Sequence, residues 1–395
     1  ILNEQNFYLA NVTVGTPAQS LAVLIDTGSS DLWVMGNQNP YCEPSSTSSV
    51  SASATNAYSS AEATIDCSLY GTFDKSKSST YKSNGTTFYI EYGDGSTAQG
   101  TWGTDEFTIA GITIHNQSLA VANKTDASIS ILGIGYVGLE STEQSTTTED
   151  YTYPNLPVKL VEQGIINKNA YSLYLNTPDS SSGIILFGGV DHDKYTGSLE
   201  TVQVVNQYLY EGVLQPITLA VTLSAITVNS TVVSNLPAVA LLDSGTTAIY
   251  APVTVFMAIN QALGGTYNSE YGVYTSECVK EDDTTQATFD FTGAKINVSL
   301  YDLQVPISEL TTGTSSSRKG TCVIEIFASS DSSYILGDAF LRSAYVVYDL
   351  DDYQISLAQS NPNSTSENIE VIKSSVPSAT SASDYSATWT TTSGS

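Results

Sequence analysis

The heptapeptide Leu24-Ile25-Asp26-Thr27-Gly28-Ser29-Ser30 returns, position for position in kind, as Leu241-Leu242-Asp243-Ser244-Gly245-Thr246-Thr247 in the second half of the chain. Each copy reads as a buried strand that ends at a carboxylate and turns away through hydroxyls and a glycine. Val23, Leu24 and Ile25 suit a packed, pleated surface. Gly28 permits a tight turn beside the acid. Thr27 and Ser29 supply hydroxyls able to hold an ionised aspartate. One such string is an ordinary strand end; two of them imply a duplicated lobe.

A second repeat supports this reading. Ile131-Leu132-Gly133 follows the first Asp turn, and Ile335-Leu336-Gly337 follows the second at a similar distance. Between and around them lie Val14-Gly15-Thr16-Pro17-Ala18-Gln19, Trp33, Tyr92-Gly93-Asp94-Gly95 and Asp338-Ala339-Phe340-Leu341-Arg342. In this order the motifs resemble the pepsin-like aspartic proteases, over about residues 5 to 360. The resemblance implies a mainly β, bilobal fold with two pseudo-twofold-related lobes and the active site in the cleft between them. The expected boundaries are an N-terminal lobe over 1–188, a C-terminal lobe over 189–360, and a Ser/Thr-rich disordered stalk over 361–395.

The same resemblance assigns roles residue by residue. Asp26 and Asp243 would form the catalytic dyad, one ionised and one protonated, because neighbouring carboxylates share a proton. The ionised member would take a proton from water, while the other hydrogen-bonds the peptide carbonyl. Thr27 and Ser244 would cross-link the two turns, Ser29 and Thr246 would bond the outer carboxylate oxygens, and Gly28 and Gly245 would let substrate approach. Phe88 to Tyr92, the Gly93-Asp94-Gly95-Ser96 turn and the return through Trp102 predict a hairpin. In the family this is the flap over the substrate, and Tyr92 would bond to Trp33.

Composition narrows the setting. With 13 Lys+Arg against 40 Asp+Glu the formal charge is −27, which repels nucleic acid. It favours solubility at low pH or attraction of basic substrates. Two histidines, His115 and His192, and the absence of a CxxC string leave no metal site and no cofactor to expect; His192 reads as a solvated loop residue. Four cysteines fit two disulfides in an oxidising compartment, and one pair per lobe, Cys42–Cys67 and Cys278–Cys322, is the economical choice. N-glycosylation strings begin at Asn84, Asn116, Asn123, Asn229, Asn297 and Asn363, and at Asn11 within a strand pattern. No apolar run is long enough to span a bilayer, and the start lacks a signal-peptide pattern, as expected of a mature form.

The stretch between Cys42 and Cys67 is nearly half Ser and Thr, without apolar periodicity. It predicts a mobile insertion at 43–66. That insertion and the stalk resemble the yapsins, the glycosylphosphatidylinositol-anchored fungal branch of the family. This implies an extracellular, monomeric endopeptidase of the cell surface or cell wall, attached to membrane only through a lipid anchor and bound by pepstatin-like inhibitors. It also implies peptide substrates with basic residues: Asp94 sits where pepsin has threonine, fungal relatives with aspartate there accept lysine, and yapsins cut after basic residues. Two other readings exist. A catalytically inactive, protease-like cell-wall binding or adhesive protein predicts damage to a catalytic turn, and a two-carboxylate glycosidase leaves the repeat unexplained.

The rest of the chain is read locally. Phe7 to Ile25 is a hairpin, Ile184 to Gly189 a central strand, and Tyr345 to Ala358 a closing hairpin. Pro154 to Gly164 and Pro252 to Leu263 are helices.

Overall fold

The computed structural model describes residues 1–4, 7–42, 65–144, 151–308 and 319–389. The chain divides into two compact units, Leu9–Ile165 and Ile1–Tyr8 with Ile166–Ser395. The expected boundary at 188/189 therefore moves. The strands Ala170–Tyr174 and Ile184–Phe187 pair with each other, and Ala170–Tyr174 pairs with Ala344–Asp349, so they belong with the C-terminal half.

In the unit Leu9–Ile165, Tyr8–Val14 and Gln19–Asp26 form the predicted hairpin, registered Leu9 opposite Leu24. The sheet continues through Ser130–Gly133, Leu32–Met35, Ile112–Thr125 and Thr97–Ile109 to Lys82–Glu91. It curls back so that Val12 pairs with Ile109. Alternation decides what is buried: in Gln19–Asp26, Leu21, Val23 and Ile25 point inward. A second packing layer gathers Trp33, Phe88, Trp102, Ile131 and Tyr153. The Cys42–Cys67 disulfide is formed, and Ile65 beside it is buried. The insertion predicted to be mobile falls, over 43–64, outside the described residues.

The other unit contains a seven-stranded sheet in which Thr231–Leu242, Tyr334–Leu336 and Ile249–Ala251 are neighbours. The predicted helix is observed as Val253–Ala262, capped by Pro252, and Gly264 beyond it adopts a φ of 83°. A four-stranded sheet carries the Cys278–Cys322 disulfide. A six-stranded sheet runs Ile184–Phe187, Ala170–Tyr174, Ala344–Asp349, Gln354–Ser360, Tyr195–Gln203, Ala379–Ser381. Ile184–Phe187, expected to be central, is an edge strand with all four residues half-buried.

The largest departure concerns the expected disordered stalk from 361. Residues 361–389 are an ordered strap on the C-terminal unit. Ile369–Val371 pairs antiparallel with Gly189–Asp191, and Ala379–Ser381 pairs parallel with Leu199–Thr201. Ile372 is fully buried against Val190, Leu199, Tyr345 and Val347. Two buried lysines hold the strap by its backbone. Lys194 Nζ donates to the carbonyls of Ser364 and Ser366 at 2.9 and 2.8 Å, and Lys168 Nζ donates to Ser374 O at 3.0 Å. His192, expected to be solvated, is half-buried and bridges the Tyr195 hydroxyl and Glu370 of the strap. A Ser/Thr-rich composition misleads here because the strap is recognised through its carbonyls, which every sequence offers.

Candidate active site

Both Asp turns are built alike. The strand ending at Asp26 runs parallel to Ser130–Gly133, with Asp26 opposite Gly133, and Ser130–Gly133 runs antiparallel to Leu32–Met35. In the other unit Leu242, just before Asp243, lies opposite Leu336 in a parallel pair, and Tyr334–Leu336 is antiparallel to Ile249–Ala251. Each Asp turn is thus a loop between two strands that clasp the repeated Ile-Leu-Gly strand. This explains the glycines. A Cβ on Gly133 would lie 2.5–2.7 Å from backbone atoms of Ser29, Ser30 and Asp31, and one on Gly337 would collide with the carbonyls of Thr246 and Ala248.

The carboxylates are held identically. Asp26 Oδ1 accepts from Gly28 N at 2.7 Å and its Oδ2 from Ser29 Oγ at 2.5 Å. Asp243 Oδ1 accepts from Gly245 N at 2.8 Å and its Oδ2 from Thr246 Oγ1 at 2.7 Å. Both acids are buried, at 5 and 8 % exposure, as are Thr27 and Ser244.

The residues expected to form the flap lie in the same unit as Asp26. Tyr92 N donates to Ser96 O, and Gly95, at φ 84°, closes the turn with its N–H on Tyr92 O. Asp94 is exposed, and its Oδ1 accepts from Ser96 N at 2.8 Å; Gly93 beside it is exposed as well. Trp33 Nε1 donates to the Tyr92 hydroxyl at 2.7 Å. Burial, followed by the charge of Asp26, pushes the Tyr92 phenol well above its ordinary range. It therefore stays a neutral hydroxyl throughout the acidic range.

Sequence reasoning missed what lies behind the first turn. Asp31 is buried, accepting from the Tyr153 hydroxyl at 2.5 Å and from Ser141 N at 3.0 Å. Glu140 is fully buried and accepts from Tyr153 N at 2.9 Å. Desolvation raises both acids, Glu140 to about 9. Asp31 directly follows the Asp26 turn and could have been flagged by its position; Glu140 offers no sequence signal. Of the sequon asparagines, Asn84, Asn116, Asn229, Asn297 and Asn363 are exposed and Asn123 is half-buried.

Two strand-clasped Asp turns with matching ligation, each in its own β unit, define an aspartic protease. The family model described as eukaryotic aspartyl protease matches residues 7–360; the chain belongs to that family and is an aspartic endopeptidase. Its relatives include Aspartic proteinase 3 of Saccharomyces cerevisiae, 42% identical over 99% of this chain and 76% of that one. The aspartic proteinase yapsin-3 of the same yeast is 42% identical over 98% of this chain and 73% of its own length. Secreted aspartic protease 9 of Candida albicans is 34% identical over 95% and 80%. An aspartic proteinase of Irpex lacteus shares the fold, with a TM-score of 0.71 at 23% identity over 93% of this chain and 98% of that one.

Proposed function

We propose that this chain is a secreted or cell-surface endopeptidase that cuts after Lys or Arg, with Asp26 and Asp243 as its catalytic pair. The observation that carries the reading is the matched ligation of the two acids: an amide two residues on, and a hydroxyl three residues on. One carboxylate serves as general base toward water, and the protonated partner hydrogen-bonds the scissile carbonyl. Both turns are intact, which argues against an inactive adhesive protein.

Tyr92 is the flap residue of this mechanism. Trp33 Nε1 is a donor only, so its bond to the Tyr92 oxygen leaves the phenolic proton available for substrate or water. The specificity follows from Asp94. A lysine entering an apolar pocket loses its hydration unless a carboxylate meets it. A charge-assisted bond to Asp94 contributes about 1.5–3 kcal/mol, roughly ten- to a hundredfold in selectivity. The yapsin and secreted-protease relatives support the extracellular setting, as do two disulfides. N-glycans at the exposed sequons, a lipid anchor on the full-length protein, a monomeric state and pepstatin-like inhibition belong to the same reading.

The test has two arms. Asp26→Asn and Asp243→Asn proteins should bind a pepstatin-like inhibitor poorly and lose peptide cleavage; full turnover in either removes that residue from the mechanism. Asp94→Thr should reduce the kcat/KM ratio for matched peptides with Lys or Leu before the cut bond. An unchanged ratio excludes Asp94 as selector.

A further inference from the structure

Behind the first Asp turn lies a cluster that the cleavage chemistry does not use. The segment beginning at Ile134 backs the turn closely: Ile134 N donates to Asp26 O, Gly135 N to Ser29 O, and Ser30 Oγ to Tyr136 O. Asn155 Nδ2 holds Gly135 O from the far end of the same segment. Between these points Tyr153 bridges two acids, its hydroxyl on Asp31 and its amide on Glu140. Its ring packs 5.0 Å from Trp102, which packs 5.3 Å from Phe88; Phe88 in turn lies 6.5 Å from Trp33, the partner of Tyr92. Tyr153 therefore joins the turn's support to the aromatic layer under the flap strands.

The two acids are unequally provided for. Asp31 has a donor on each oxygen. Among the described residues Glu140 has one donor, on Oε2, while its Oε1 is buried with no hydrogen-bond partner. Among the described residues the charged and titratable groups acting on Glu140 are Asp31 and Glu143, both acidic. Those acting on Tyr153 are Asp31, Glu140 and Tyr151. Lys82 and Glu91, at the ends of the adjacent flap strand, are not among them. Two buried acids without a cation cannot both ionise cheaply, and the less well ligated one keeps the proton.

We infer that Glu140 is a positioning residue that works as a neutral acid: together with Asp31 it clamps Tyr153 against the catalytic turn and the flap-side aromatics, and its ionisation releases the clamp. The clamp gives the enzyme an upper pH limit separate from the titration of the catalytic pair. The inference rests on reading the Asp26 turn as catalytic. The sign follows from the raised folded-state value. The contribution is fully present below the ordinary glutamate value of 4.5 and is lost progressively as pH rises toward about 9.

The test compares wild type with Glu140→Gln, an uncharged isostere of the protonated acid, from about pH 4 to about pH 8. Thermal midpoints, Trp fluorescence and kcat/KM on one peptide are read at each pH. The wild-type midpoint should fall with rising pH, and the Glu140→Gln midpoint should fall less steeply. Glu140 ionises in the folded protein only near about 9, so the kcat/KM profiles of the two folded proteins should keep the same shape from about pH 4 to about pH 7 while their midpoints diverge. Superimposable midpoint curves would overturn the inference. If Glu140→Gln does not fold, amide hydrogen exchange of wild type decides. Peptides covering 134–144 and 151–155 should lose protection with rising pH, after correction for intrinsic exchange, ahead of the remaining sheet. Uniform behaviour refutes the clamp. The midpoint and exchange readouts do not need activity, so a failure of the catalytic reading at Asp26 shows separately.

Discussion

Ending the chain after Ser360 should cost this protein its stable fold, although the removed segment is rich in Ser and Thr. The magnitude comes from three contacts. Ile372 is fully buried in the cluster formed by Val190, Leu199, Tyr345, Val347 and Ala358, and an Ile→Ala change at such a site costs about 2–5 kcal/mol. Lys194 is buried, and its two shortest bonds are to strap carbonyls. Hydrogen bonds to a charged group contribute on the order of 1.5–3 kcal/mol each. Lys168 keeps Asp349 and Asp352 but loses Ser374 O. Burial alone would lower this lysine's affinity for its proton, and the two carboxylates more than offset that. The strap thus carries a share comparable with the roughly 5–15 kcal/mol by which whole domains are stable. Three proteins should be compared by calorimetry and soluble yield: one ended after Ser360, one ended after Trp389, and an Ile372→Ala variant of the full chain. The chain ended after Trp389 keeps every contact described here and should melt with the full chain. Ile372→Ala should melt roughly 5–15 °C lower, and the chain ended after Ser360 should be insoluble or lower still. A chain ended after Ser360 that melts with the full protein would refute the reasoning.

Gly337→Ala should abolish cleavage and lower stability, because the new methyl would meet the Thr246 and Ala248 carbonyls beneath the second Asp turn; an active, stable variant, measured by peptide turnover and calorimetry, would show that the turn can shift. Trp33→Phe removes the donor to Tyr92 while leaving an aromatic ring, and should lower kcat/KM about tenfold with a smaller effect on the thermal midpoint. Equal losses in both would indicate a packing role alone.

The duplicated Asp turns were legible because a repeat of residue kinds over a whole strand and turn has few structural explanations. The flap hairpin was legible from its Asp-Gly turn chemistry. The reason for Gly133 and Gly337 was not, since it depends on which backbone segments are clasped together. Ile184–Phe187 was misplaced as central because an apolar run does not reveal whether a strand has one neighbour or two. The strap escaped notice for a different reason. Its hold comes from Ile372, Ala382 and two distant lysines that bind main-chain carbonyls, and none of this produces a period in the segment itself. Glu140 was invisible because a lone acid after Gly138-Leu139 reads as a surface residue until Tyr153 and Asp31 close around it.

The two disulfides also define the covalent topology of the molecule. Cys42–Cys67 closes a ring containing residues 43–64, and Cys278–Cys322 closes another containing 309–318. A peptide bond broken inside either ring opens that ring without dividing the molecule. An enzyme nicked at both places would still be a single particle by size and would run as one band without reductant. Reduction would release three chains from it, with two amino termini beyond the original one. Counting ends and counting molecules would then give different answers for the same preparation.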